Sequence, residues 1–265
     1  MRTFFLFFIS SVLGACGGAG EDVERCIEDG SCDAVLNVMK VSGDLPLDPL
    51  APLWGGTGGT TPIAVELGPQ MITNPKWPNP AVQGVKVNAA RNETHLAIYL
   101  EWKDESIDEE YGHSALYSDQ AAVMFPVRSM GEVLPITMGA EGLTVNIWQW
   151  KAIWERQMDT KKRRGSRAAL NTPSSGIPDR VSPIEDLNAE GFSTLTTQDQ
   201  QDVLGKGVWR NKVWRIVLMR PLTNSDPQDV QFRHSVQMAI AVWNGANRER
   251  NGQKGISPWI LLRLS

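Results

Sequence analysis

Three cysteines and three histidines in 265 residues leave little thiolate or imidazole chemistry to build with. No Cys-x-x-Cys-His occurs, which excludes covalent attachment of a c-type haem. There is also no Gly-x-Ser-x-Gly elbow, no His-Glu-x-x-His, no phosphate-cradling Gly-x-x-x-x-Gly-Lys and no acid-rich calcium loop, so hydrolysis and group transfer by ordinary side-chain sets are not supported. Gly131, Gly139 and Gly142 lie close together, but without a strand before and a helix after they make no nucleotide site. Positive charge is short as well: a net charge of −4 lacks the electrostatic footprint of a nucleic-acid binder. The one dense basic run, Lys161 to Arg164, sits in polar, turn-rich sequence and reads as a solvated loop. Beyond Leu13 no apolar stretch approaches the length of a membrane span.

What the chain does have begins at its first residues. Arg2, an apolar run from Phe4 to Leu13 and small residues up to Cys16 describe a secretory signal over residues 1–15. Leu13-Gly14-Ala15-Cys16 fits a bacterial lipobox, in which Cys16 becomes the lipidated first residue of the mature protein. No Asp follows Cys16, which in a two-membrane cell points to a periplasmic domain anchored to the outer membrane. Residues 16–60 are rich in Gly, Pro and acidic groups and read as anchor, tether and irregular lead-in. Within them Cys26 and Cys32 are spaced to close a small disulfide loop in an oxidising compartment.

Residues 61–265 read as one all-β domain. Apolar runs of strand length, bounded by turn residues, recur at 63–67, 82–89, 94–102, 121–127, 144–151, 213–220, 236–243 and 259–262. No convincing long amphipathic helix separates them, which predicts an antiparallel β-sandwich of immunoglobulin-like type. Residues 159–207 are polar and without periodicity, and read as a long irregular excursion off the sheet. Ten tryptophans is a high count, and Trp148 and Trp150, two apart in one strand, share a face. That face either packs the core or walls a large flat cofactor, since both uses draw on the same residues. Lys151 has the opposite parity.

A series of short motifs runs through this domain in fixed order: Gln70-Met-Ile72, Leu100-Glu-Trp-Lys-Asp104, Asp119-Gln-Ala-Ala-Val-Met-Phe-Pro126, Thr137-Met-Gly139 and Val145-Asn-Ile-Trp-Gln-Trp-Lys-Ala152. Trp214-Arg-Ile-Val217, Ala239-Ile-Ala-Val-Trp-Asn-Gly245 and Ser257-Pro-Trp259 follow. Their order and spacing resemble the ethylbenzene-dehydrogenase-related haem-binding domain, the haem b (gamma) subunit of molybdenum enzymes of the dimethyl-sulfoxide-reductase family. The resemblance implies a β-sandwich holding a non-covalent haem b through a methionine and a lysine. It also implies electron transfer rather than enzymatic turnover, with a molybdopterin-containing catalytic subunit and an iron-sulfur subunit, or a soluble cytochrome, as partners. The residues it points to are Lys151 and Met138, with Met124 as the alternative methionine and Trp148 and Trp150 beside the cofactor. A lysine ligates only as the neutral amine, and Lys151 closes an apolar strand where an ammonium is costly. His234 is the reserve ligand. The lipobox, the cysteine-containing lead-in and the excursion depart from soluble gamma subunits. A sandwich that binds sugars or other small ligands without haem is the competing reading.

Overall fold

A computed structural model describes residues 26–27, 30–110, 116–128, 135–164 and 180–264, with backbone alone for 161–164. Cys16 and the signal segment lie outside the described residues.

Among the described residues thirteen strands form one continuous sheet. In chain order they are β1 (Val35–Lys40), β2 (Ile63–Glu66), β3 (Gly84–Arg91), β4 (His95–Lys103), β5 (Gln120–Pro126), β6 (Val145–Lys151) and β7 (Ile184–Ala189). Then come β8 (Thr196–Thr197), β9 (Leu204–Trp209), β10 (Val213–Pro221), β11 (Val236–Trp243), β12 (Gly255–Ile256) and β13 (Ile260–Leu264). Their spatial order is β8-β7-β6-β5-β11-β13-β1-β3-β4-β10-β9, with β12 on β11 and β2 on β3. The sheet curls until its halves face each other, and the apolar parity of each strand closes a core between them. Trp102 of β4 and Trp214 of β10 meet Trp150 of β6 there, at 6.2 and 4.8 Å between ring centroids. Phe125, Trp148 and Phe232 form a second aromatic knot, at 4.9–5.6 Å.

The architecture is the expected all-β sandwich, but its sheet is mixed. β1 runs parallel to both its neighbours: Val35–Val38 pair with β13, and Met39 and Lys40 pair with β3. This strand lies inside the stretch read as irregular lead-in. The rest of that stretch also packs: Leu45 and Trp54 cover the outer face of β3, β4 and β10, with Trp54 stacked on Tyr99 at 5.6 Å. The excursion holds structure too. Its first residues, 159–164, are the end of helix α1 (Ala152–Arg164), so the basic run ends a helix rather than forming a loop, and it contains β7, buried along its whole length.

Cys26 and Cys32 are joined by a disulfide. The loop packs on β13 through Trp259 and Leu261, and Asp33 N donates to Trp259 O at 3.0 Å. Closing so short a loop removes little chain entropy, so reduction is expected to lower stability by about 2 kcal/mol. Urea titrations with and without reductant measure this, and a loss above roughly 5 kcal/mol would mean the loop carries more than its closure entropy.

Candidate functional site

Strand parity decides which residues meet on the far side of the core. In β5 and β6 the pairs Gln120/Lys151, Ala122/Gln149 and Met124/Ile147 stand opposite each other. β11 adds Trp243, Ala241 and Ala239 against Gln120, Ala122 and Met124. β7 adds Leu187 against Ile147. All of these point outward, because Ala121, Val123, Trp148, Trp150 and Ile240 take the inward positions. Together they floor a cavity of about 1010 Å³, which matches the upper end of small-molecule clefts, roughly 300–1,000 Å³. Ala122, Ala239 and Ala241 make the middle of the floor flat, since a methyl group is all that rises from each position.

The rest of the lining includes Ile136, Met138, Phe192 and Leu195, and Ile72, Tyr117, Arg250 and Lys254. Ile72, Phe192 and Leu195 are exposed at the rim, so a large apolar surface faces outward here.

Lys254 is the chemically unusual group. It precedes β12, and its side chain is buried against the Trp243 ring, 4.7 Å from the centroid. Among the described residues no carboxylate pairs with it; its one polar contact is Met138 Sδ, 4.0 Å from Nζ. Burial alone pushes its ammonium down to about 8, since the charged form gives up hydration and gains no counter-charge. Met138 is held in place by strain: its φ is +65°, in the left-handed region that a methionine rarely adopts. Gly139 follows at φ +82°, where a side chain would collide with the Leu143 carbonyl, and Gly191 N donates to Met138 O at 2.8 Å. Backbone strain kept in a native structure is a mark of functional sites.

The structure separates the residues that the sequence groups together. Trp148 and Trp150 are fully buried inside the sandwich, on the other side of the sheet from the cavity. Their indole N–H groups donate inward, Trp148 to Asn146 Oδ1 and Trp150 to Glu155 Oε2. Lys151 lines the cavity but is occupied: its Nζ is 3.5 Å from Glu185 and 4.0 Å from the Trp154 ring centroid. Burial lowers its ammonium and Glu185 opposes that. Met124 is part of the floor, and His234 is exposed outside the lining. The tight turn closed by Ala140 and Leu143 carries Met138 away from the Lys151 end and toward Lys254. Lys254 itself is absent from the sequence candidates, because Asn251-Gly-Gln-Lys-Gly255 reads as an exposed polar turn. Its only signal is the neighbouring Ser257-Pro258-Trp259 motif.

The sandwich thus brings a strained methionine and a buried amine together in one flat-floored, mainly apolar cavity. The ethylbenzene dehydrogenase family model matches residues 58–255, and the chain belongs to that family. It is similar to the chlorate reductase subunit gamma of Ideonella dechloratans, 26% identical over 257 residues, covering 96% of this chain and 94% of that protein. It is 27% identical to a putative respiratory nitrate reductase heme subunit of Haloferax mediterranei, covering 82% of this chain and 67% of the relative. The dimethylsulfide dehydrogenase subunit gamma of Rhodovulum sulfidophilum is 26% identical, covering 69% of this chain and 61% of that protein.

Proposed function

We propose that the chain is the electron-transfer subunit of an exported molybdenum oxidoreductase complex and binds one b-type haem non-covalently, with Met138 and Lys254 as the residues that would hold its iron. The carrying observation is the buried Lys254 amine, without a counter-charge and 4.0 Å from Met138 Sδ. A thioether and an amine that sheds its proton readily are both iron donors, so the chemistry of this pair fits the group. Haem bound there supplies one-electron transfer and no substrate chemistry.

The residues around it have separable tasks. Lys254 donates as the neutral amine, which its burial prepares by easing loss of the proton. Met138 is a soft neutral donor that stabilises the ferrous state. The alanine floor with Ile136, Phe192 and Leu195 gives the site a mainly apolar lining, and Arg250, stacked over Tyr117 at 4.8 Å, places positive charge at its edge. In this reading Lys151 and Met124 line the pocket without ligating. A molybdopterin-containing catalytic subunit and an iron-sulfur subunit, or a soluble cytochrome, are the redox partners. The relatives named as gamma subunits of chlorate reductase and dimethylsulfide dehydrogenase support this assignment. Export and anchoring through Cys16 rest on the signal sequence. A sugar-binding role has less support, because Trp148 and Trp150, the pair it relied on, are inside the core.

Chain recovered from native membranes is expected to carry stoichiometric haem b by pyridine haemochromogen assay, with a low-spin Soret band that shifts on reduction. Colourless, folded protein from haem-replete cells would overturn the proposal.

A further inference from the structure

We infer that Asp186, Gln198, Asp202 and Asp229 form a binding site for one calcium-class divalent cation, set behind the strand that walls the cavity. The site is independent of the haem reading. Asp186 lies in β7 between Glu185, which pairs with Lys151, and Leu187, which lines the cavity, so parity turns it to the opposite face. There one carboxylate oxygen from each of Asp186, Asp202 and Asp229 lies within 4.8 Å of the others. Two oxygens on opposite sides of a calcium ion, at about 2.4 Å each, stand that far apart.

Charge does not balance among these groups. Arg220 is fully buried and reaches Asp229 Oδ1 at 3.0 Å and Asp186 at 4.0 Å. It also donates to Asn146 Oδ1 at 3.1 Å and to the Val230 carbonyl. Burial, with the Asp229 carboxylate beside it, pushes the Asp186 carboxyl up to about 8, so one guanidinium does not neutralise the cluster and a proton or another cation must make up the balance.

The hydrogen bonds show where it would bind. Asp186 Oδ1 receives Asn146 Nδ2 at 2.6 Å and Gln198 Nε2 at 3.1 Å. Asp229 Oδ1 receives Gln198 Nε2 at 2.9 Å, and Asp229 Oδ2 receives Asn224 Nδ2. Asp202 Oδ2 receives Asn224 Nδ2 at 2.9 Å and Gln200 Nε2 at 3.1 Å. Three buried oxygens accept no hydrogen bond: Asp186 Oδ2, which faces the Arg220 guanidinium at 4.0 Å, Asp202 Oδ1 and Gln198 Oε1. The last belongs to a neutral side chain, 5% exposed, whose carboxamide is fixed among the carboxylates by its own two bonds. All three are acceptors. A single shared proton joins only two of them. A cation taking six to eight oxygen ligands satisfies them together, with water completing the shell. Magnesium dehydrates reluctantly and demands octahedral geometry, so a buried site built from scattered side chains suits calcium. The ligands come from β7, the segment before β9 and the β10–β11 loop, which is why no contiguous motif marks them.

The test uses the full chain, stripped with EDTA and dialysed, followed by thermal unfolding with CaCl2, with MgCl2 or with neither. Calcium at about a hundredfold excess over its Kd is expected to raise Tm by roughly 5–10 °C, and magnesium much less. Terbium binding is read in parallel by emission excited through tryptophan. Trp148 is suitably close, because its N–H donates to Asn146, which in turn donates to Asp186. Asp202→Asn keeps the volume and is expected to abolish the calcium-dependent rise and cut terbium emission at least tenfold. Asp104→Asn, in a separate buried acid cluster with Asp108 and Asp119, is expected to change neither. Should Asp202→Asn fail to fold, displacement of terbium by calcium from the parent chain gives the reading alone. Equal Tm with and without calcium together with no sensitised terbium emission overturns the site. So does a calcium response that survives Asp202→Asn, or one that is lost in Asp104→Asn.

Discussion

Lys254→Ala is expected to convert a six-coordinate low-spin haem protein into a five-coordinate or water-ligated high-spin one, while the sandwich stays folded. Loss of groups that merely orient a metal ligand weakens binding by about 10–100-fold, so losing the ligand itself should reduce haem retention by at least that much. Lys254→Arg should behave nearly the same way, since a guanidinium keeps its proton and offers no lone pair. Lys151→Ala is the control that separates two lysines of one cavity: it breaks the contact with Glu185 at 3.5 Å but leaves the iron its nitrogen. Optical and electron paramagnetic resonance spectra of the three variants decide the matter. A low-spin spectrum that survives Lys254→Ala and disappears in Lys151→Ala would transfer the ligand role to Lys151.

Trp150→Ala should do the reverse, leaving the cofactor spectrum of the folded fraction intact while removing about 3–5 kcal/mol of stability. The side chain is fully buried between Trp102 and Trp214, and its indole N–H shares Glu155 Oε2 with Gly207 N, at 3.1 and 2.7 Å. Truncation leaves a cavity in the aromatic core and a carboxylate short of one donor. Urea unfolding of Trp150→Ala and Trp150→Phe measures both parts, with phenylalanine expected to recover some of the packing but not the hydrogen bond. If Trp150→Ala unfolds like the parent chain but shifts the Soret band, the indole is a cofactor wall after all.

These two variants also mark where the sequence was legible. Alternation located β2, β3, β4, β5, β6, β10, β11 and β13, because their inward positions are apolar and their turns are rich in Gly, Pro and Asn. β7 escaped notice for a physical reason: Asp186 and Asn188 put polar groups on its inward face, where they meet Arg220, Gln198 and a backbone carbonyl that come from elsewhere along the chain. β1 escaped because Val35-Leu-Asn-Val-Met-Lys40 stands among Gly and Pro, and both of its pairings are parallel and long-range. The same distance hid the site. Met138 is readable from its motif, but that it faces Lys254, 116 residues later, depends on the turn at Gly139 and on the pairing of β12 with β11. The Trp148/Trp150 pair was readable as one face, yet one-dimensional parity does not say which face of a sheet is the core.

The parallel pairing of β1 has a mechanical consequence. Because Val35 aligns with Leu261 and Val38 with Leu264, the first strand and the last lie side by side and point the same way. A pull on the chain ahead of Val35, opposed by a hold beyond Leu264, loads those hydrogen bonds in shear, so they resist together instead of opening one after another. Met39 and Lys40, held by β3, continue the clasp into the second layer.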